Sequence, residues 1–289
     1  MKLGLIGVGI VGNAFYEGMK HAFDIVRFDK QRADFSDVSS VEDVVKNTDG
    51  PIFVCVPTPM NSDGSCSTVI VEQVVEEIFL AVAKNVERIA VVKSTVPPGT
   101  TGHLTSRFGK RLTTIFNPEF LTEANPVEDF KNQDRIFLGG SPEATQIVAD
   151  VYSIAYPDVF KMQSDAMTAE MVKYVGNCFL ATKVSFANEI YQICEKLGIV
   201  YNDVINMATL DKRLGTSHWQ VPGPMPASDG SGKLLMGYAG SCLCKDINSL
   251  IAVSKSSGVD PIMLQAAWDK NLSVRPEKDW ELMKGRAVL

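Results

Sequence analysis

Three glycines, Gly7, Gly9 and Gly12, constrain this chain more than any other feature. They follow the apolar run 2–6 and precede a helical pattern containing Ala14, Phe15 and Met19, which is the strand-turn-helix setting in which G-x-G-x-x-G has a mechanism. The first glycine makes the tight turn, the second admits a pyrophosphate, and the third lets helix and strand pack closely. The helix N-terminus, from Ile10 and Val11 onward, then faces the phosphates. A second apolar run, 25–28, ends at Asp29, about 20 residues beyond the glycines, where a carboxylate accepts ribose hydroxyls. A 2'-phosphate would be repelled there, so the pattern favours NAD over NADP, with Lys30 and Arg32 nearby weakening the preference slightly.

Further apolar runs at 52–56, 89–92 and 113–116 alternate with helical patterns, notably 69–84, and later strands near 136–140 and 159–160 flank a helix near 143–154. This predicts an open, mostly parallel α/β sheet. The ligand crevice of such a sheet lies at the carboxyl ends of its strands, so Asp29, Thr58, Thr95 and Glu119, each just past a strand, should converge on one edge. Asn117 followed by Pro118 reads as an N-cap and first helical residue, which would place Glu119 and Glu123 on one face of a short helix. The alternative is that both carboxylates merely complement that helix's positive end.

From 165 to 197 apolar residues recur at three- and four-residue steps, with Gly176 as a possible kink. A helix of roughly 50 Å at 1.5 Å per residue suits a link between two domains and the core of a homodimer. Lys173 and Asn177 share an otherwise apolar face of it and should point into a cleft, unless Lys173 snorkels at the rim of a core. Residues 209–236 are rich in Pro and Gly and read as a structured loop anchored by Trp219 and Met225. Next comes 237–246, where Gly237, Ala239 and Gly240 let the backbone approach a ligand, and Lys245 and Asp246 set a cation and a base near the Cys242 thiol. That grouping suits covalent chemistry on a carbonyl. Two short helices near 247–256 and 261–272 complete the chain.

A charge of -6 argues against nucleic acid or an anionic membrane as partner, and 45% apolar residues are enough for two domains with cores. No run of 18 apolar residues offers a membrane span, and the N-terminus does not read as a signal peptide. Six cysteines scattered through apparent strands and helices fit a reducing cytoplasm. Cys55, Cys178 and Cys194 read as core residues, and Cys242 and Cys244 do not. Zinc at that pair would need two further ligands, with only His218 near in sequence, so no metal is expected.

The stretches GVGIVG, VPTP, KSTVPPGTT, NPEFLTEA with DRIFLGG, EMVKYVGNCFLATKVSFANEI and GYAGSCLCKD, in this order, make the chain resemble the UDP-glucose dehydrogenase family of nucleotide-sugar 6-dehydrogenases. The resemblance implies a Rossmann-type, doubly wound, mostly parallel sheet (1–162), then a long central helix and a small all-α domain (163–289). It also implies a homodimer through 165–197 and NAD-dependent, four-electron oxidation of a nucleotide sugar, UDP-glucose to UDP-glucuronate, in cytoplasmic polysaccharide biosynthesis. Carried over, Cys242 is the catalytic thiol, with Lys173, Asn177 and Asp246 as oxyanion and water-handling partners. Thr95, Glu119 and Glu123 stand beside nicotinamide and sugar, and Thr58, Thr95, Glu123 and Lys245 join the cofactor contacts. Phe120, Leu121, Gly237 and Ala239 join Glu119, Glu123, Lys173 and Asn177 at the substrate. Three departures stand out: Gly-Tyr-Ala-Gly replaces the family's Gly-Phe-Gly-Gly bend, Cys244 replaces a proline, and the family's third, nucleotide-gripping domain is expected to be lacking.

The implied mechanism explains why a thiol is needed. Oxidation of an alcohol to an acid removes two hydrides, and the intermediate aldehyde has none to give until a nucleophile adds to it. Cys242 supplies that nucleophile, and Cys244 is expected to pair with oxidised Cys242 and close the site reversibly. Two rivals remain: a two-electron hydroxyacid dehydrogenase using Lys173 and Asn177, and a non-catalytic NAD-binding protein.

Overall fold

Residues 1–289 are described by a computed structural model. In chain order its elements are β1 (Lys2–Ile6), α1 (Ile10–Met19), β2 (Asp24–Phe28), α2 (Val41–Lys46), β3 (Ile52–Val54), α3 (Val69–Ala81) and β4 (Arg88–Val92). Then follow α4 (Thr100–Phe108), β5 (Leu112–Phe116), α5 (Pro126–Lys131), β6 (Arg135–Gly139), α6 (Pro142–Ala155) and β7 (Phe160–Ser164). Four helices end the chain: α7 (Ala166–Leu197), α8 (Tyr201–Ala208), α9 (Leu243–Ser256) and α10 (Ile262–Val274). The chain divides into two compact units, Met1–Thr58 with Ser67–Lys173, and Pro59–Cys66 with Tyr174–Leu289.

The first unit is a seven-stranded sheet in the order β2-β1-β3-β4-β5-β6-β7. Its first five strands are mutually parallel, as the near-continuous apolar runs predict for strands buried on both faces. Strand alternation sorts the side chains: Ile6, Ile52 and Val54 face α2, α3 and α4, while Leu3, Leu5 and Phe53 face α1, α5 and α6. β6 runs antiparallel to β5 through the single pair Phe116 and Gly139, and β7 runs parallel to β6. The β5–β6 junction is therefore the thinnest seam of the sheet.

One local expectation fails here. Residues 117–122 are not helical, and the short helix, α5, starts at Pro126 after Asn125. Asn117 cannot cap a helix because its side chain is committed elsewhere: Nδ2 donates to Phe137 O at 2.8 Å, and Oδ1 accepts from Lys93 and Tyr152. Glu119 and Glu123 consequently share no helical face.

In the second unit α7 continues without a break past Gly176. Tyr174, Cys178 and Ala181 pack with Ile247 and Ile251 of α9, and with Trp280 and Ala287 of the chain's last stretch. Segment 59–66 belongs to this unit, where Met60 N donates to Ala287 O and Leu289 N to Met60 O. Trp219 anchors its loop as expected, with its carbonyl accepting from Tyr201 OH at 2.6 Å and its ring under Lys183 at 4.8 Å. Met225 is exposed and anchors nothing.

A buried ion pair fixes the end of α10. Burial works against the Asp279 charge, but Arg275 Nε at 2.6 Å and the Ser228 amide outweigh it and bring the carboxyl down to about 2, from 3.8. A depressed carboxyl contributes stability above its unfolded value and loses it as pH falls through the folded one, here between about 4 and 2. Arg275→Met should therefore cost about 3 kcal/mol at neutral pH, because it strands a buried charge, and the loss should shrink below pH 4 in urea titrations.

Candidate active site

Each glycine of the turn has a distinct steric reason. Gly7 has φ +88°, and a Cβ there would meet the Cys55 carbonyl; a Cβ on Gly12 would overlap the Gly7 carbonyl, so α1 could not close onto the turn. Around Gly9 nothing lies within 4 Å, which leaves the backbone open to a ligand. The first turn of α1, with Ile10 and Val11, carries no acidic residue and no side-chain cap, so its amides remain available to phosphate. Asp29, directly after β2, accepts from Val8 N at 2.6 Å and from the amides of Gln31 and Arg32, and Arg32 Nη1 donates to Val8 O at 2.8 Å. Asp29 thus stands fixed against the glycine turn. An open Gly9, uncapped amides and an acceptor at the end of β2 fit a dinucleotide.

Thr58 and Thr95 are buried past β3 and β4, and Glu119 is buried past β5, so these strand ends do lie on one edge of the sheet. The Glu119 turn holds an ion pair. Lys173 Nζ donates to Glu119 Oε1 at 2.9 Å and to Glu119 O at 2.6 Å, and it stands 5.5 Å from the Phe120 ring centre. Burial alone would raise the Glu119 carboxyl, but Lys173 and the Leu121 amide on Oε2 hold it below its ordinary value. Lys173 therefore neither snorkels nor points to solvent; its side chain is 3% exposed. Phe120 and Leu121 are half-buried at the same turn, and with Lys93 and Arg135 they line a cavity of about 290 Å³. Glu123 lies beyond it at a bend, half-buried.

Glu170, one turn before Lys173, was not singled out from the sequence. Its carboxylate accepts from Gly99 N and from the amide and hydroxyl of Thr101, capping α4 just past the Thr95 loop. Burial raises its pKa.

In the second unit, Cys242 occupies the N-cap of α9, half-buried, with Ser241 Oγ at 3.7 Å. α9 begins four residues earlier than the sequence suggests, which places Asp246 in its first turn. Asp246 is 1% exposed; Asn177 Nδ2 donates to its Oδ2 and Lys245 Nζ to its Oδ1, each at 2.5 Å. The Lys245 ammonium is thus committed to Asp246, which outweighs burial and raises its pKa. Gly237 has φ +71°, and a Cβ there would overlap Asn271 Oδ1. Its smallness lets the bend pack against α10. Two buried asparagines missed from sequence fasten this bend: Asn188 accepts from Gly237 N, and Asn271 accepts from Tyr238 N. Ala239 is half-buried in the same core.

The two halves of the chain match two models of one family. Residues 25–156 match the NAD binding domain, and residues 167–273 the central domain, of the UDP-glucose/GDP-mannose dehydrogenase family. A UDP-glucose dehydrogenase structure from the hyperthermophilic archaeon Pyrobaculum islandicum is 30% identical with a TM-score of 0.82, over 94% of this chain and 68% of that one. The chain belongs to the UDP-glucose/GDP-mannose dehydrogenase family.

Curated relatives of the family agree. A UDP-glucose 6-dehydrogenase of Rickettsia bellii is 34% identical over 78% of this chain and 50% of its own length. The corresponding protein AglM of Haloferax volcanii is 32% identical over 84% of this chain and 56% of its own. The chain thus spans about half the length of the curated relatives it matches. NAD is the family's cofactor, although the glycine turn at 7–12 precedes the matched span. Cys244 is fully buried, with Sγ 3.7 Å from the Tyr238 carbonyl. Cys178 and Cys194 are buried as expected, whereas Cys55 is only half-buried.

Proposed function

We propose that the chain is an NAD-dependent dehydrogenase that oxidises the primary alcohol of a nucleotide sugar to the carboxylate, UDP-glucose to UDP-glucuronate first among candidates. The observation that carries this reading is the placement of Cys242 at the head of the helix whose first turn holds Asp246, which Asn177 and Lys245 bind in turn. The Gly7 to Gly12 turn and Asp29 would hold NAD, which would supply the hydride acceptor for each of the two oxidations. The protein's own part is acyl chemistry. The Cys242 thiolate adds to the aldehyde carbon, forming a C–S bond, and the oxyanion so formed is stabilised by the Lys173 cation and the Asn177 amide. After the second oxidation, water cleaves the thioester; Asp246 takes the water proton and the thiolate leaves with its electron pair. Thr95, Glu119 and Glu123 would stand beside nicotinamide and sugar, with Phe120, Leu121, Gly237 and Ala239 as further sugar contacts and Thr58 and Lys245 as cofactor contacts.

Counting NADH per sugar over UDP-glucose, GDP-mannose and related nucleotide sugars tests the reading. Two equivalents are expected; one indicates a hydroxyacid-type dehydrogenase, and none with any sugar a non-catalytic binder. Asp29→Ala should weaken NAD about tenfold, measured by fluorescence titration, because two charge-assisted ribose bonds are lost.

We also propose a homodimer through α7, and a cytoplasmic place in polysaccharide biosynthesis in keeping with six free cysteines. Met171, Val175, Phe179, Phe186, Ile193 and Leu197 form an exposed apolar stripe along α7. A charge in its middle, Phe179→Glu, should halve the mass seen by analytical ultracentrifugation at micromolar protein. An unchanged mass would remove α7 as the interface.

A further inference from the structure

Lys93 follows β4 directly and is 3% exposed, yet its ammonium meets amide and carbonyl oxygens rather than a carboxylate. Nζ donates to Asn117 Oδ1 at 2.8 Å and approaches Asn117 O at 3.5 Å, with the Phe130 ring centre at 5.8 Å. The orientation of the Asn117 amide is determined by its surroundings: Oδ1 also accepts from Tyr152 OH at 2.6 Å, while Nδ2 donates to Phe137 O. One side chain therefore ties β4, β5, β6 and α6 together. It does so at the seam where β5 and β6 share a single residue pair. Two residues further on, Glu119 makes its bonds to Lys173, and Lys93 and Glu119 line the same cavity.

Holding a cation there is costly. Burial brings the Lys93 ammonium down to about 8, with Cys55 and Glu119 opposing that shift and Lys173 adding to it. A charged donor holds the Asn117 oxygen more firmly than a neutral one could, so the costly charge points to a task beyond packing.

We infer that Lys93 is a positioning residue for the Glu119–Lys173 pair: by fixing the Asn117 amide at the end of β5, it holds the Pro118–Glu119 turn where the carboxylate meets the Lys173 ammonium. Its relevance to catalysis rests on the function proposed above, but its structural content does not. Without Lys93 the Asn117 side chain loses its charged donor, the turn loosens, and Lys173 loses part of its counterion.

Competitive acylation of lysines with acetic anhydride, quantified peptide by peptide by mass spectrometry, reads this directly. In Lys93→Met the Lys173 amine should label about tenfold faster than in the wild type, because the loosened Glu119 contact outweighs relief of the weaker Lys93–Lys173 repulsion and lowers the ammonium by about one unit. Lys46, exposed on α2, serves as the internal standard. Tyr152→Phe removes the other donor on Asn117 Oδ1 and leaves Lys93 in place, so Lys173 labelling should stay at the wild-type rate. An unchanged rate in Lys93→Met, or an equal rise in Tyr152→Phe, overturns the inference, the latter because it marks a general loss of packing. Should Lys93→Met not fold, Lys93→Gln, which keeps a neutral donor, should still raise Lys173 labelling about threefold, and no rise there overturns the inference. With an active wild type, Lys93→Met should lower kcat about tenfold and leave KM for NAD unchanged, which a general packing defect would not do. If the wild type oxidises no nucleotide sugar while Lys173 labelling rises as stated, the positioning role stands and the catalytic reading fails.

Discussion

Cys242→Ala should stop acid formation, lowering its rate about 1,000-fold or more, because the aldehyde then has no covalent adduct from which a second hydride can leave. The first oxidation needs no thiol. The variant should therefore release at most one NADH per sugar and leave an aldehyde, visible as its hydrate or as an oxime after trapping. Folding should be little affected, since Cys242 is half-buried at a helix N-cap and outside the apolar cluster around Tyr174 and Ile247. Cys242→Ser should also fail to release acid, because a hydroxyl lacks the thiolate's nucleophilicity near neutral pH. Acid made by Cys242→Ala at the wild-type rate would rule out covalent trapping.

Lys173→Met carries the second large effect, and it falls on stability and chemistry together. Glu119 is buried beneath the turn, and its carboxyl is kept low against burial by Lys173. Removing the cation strands that charge and should cost about 3 kcal/mol of unfolding free energy at pH 7. The sign follows from the linkage. A carboxyl lowered below 4.5 contributes stability above that value and loses it in acid, so wild type and variant should converge as pH falls toward 4 and below. Lys173→Met with Glu119→Gln should recover most of the loss, because the uncompensated charge is gone, while activity stays abolished. Equal urea midpoints for wild type and Lys173→Met at pH 7 would mean that the pair is not desolvated.

The parts legible in sequence are those governed by local rules. Gly7 needs a positive φ, and Gly12 needs close packing on a turn only five residues away, so their spacing carries the geometry. Strand ends were legible because an apolar run that stops at Thr58, Thr95 or Glu119 has left the buried sheet. The short helix after β5 was misplaced because Asn117 reads as a cap by type, while tertiary partners claim its side chain. Lys93 gave one faint signal, a charge directly after the apolar run 89–92. Glu170, Asn188 and Asn271 gave none, since a polar residue within a helix has no preferred partner until another segment arrives.

The sequence by itself determined the doubly wound sheet, the glycine turn with Asp29, the long α7 and the presence of a thiol near Asp246, because each depends on residue periodicity or on neighbours a few positions apart. Only the tertiary structure decided which partner each polar group would take. It paired Lys173 with Glu119, Asn177 with Asp246, and Lys93 with Asn117. Buried polar groups must find hydrogen-bond partners wherever the fold supplies them, and partners 24 to 69 residues apart leave no trace in local spacing.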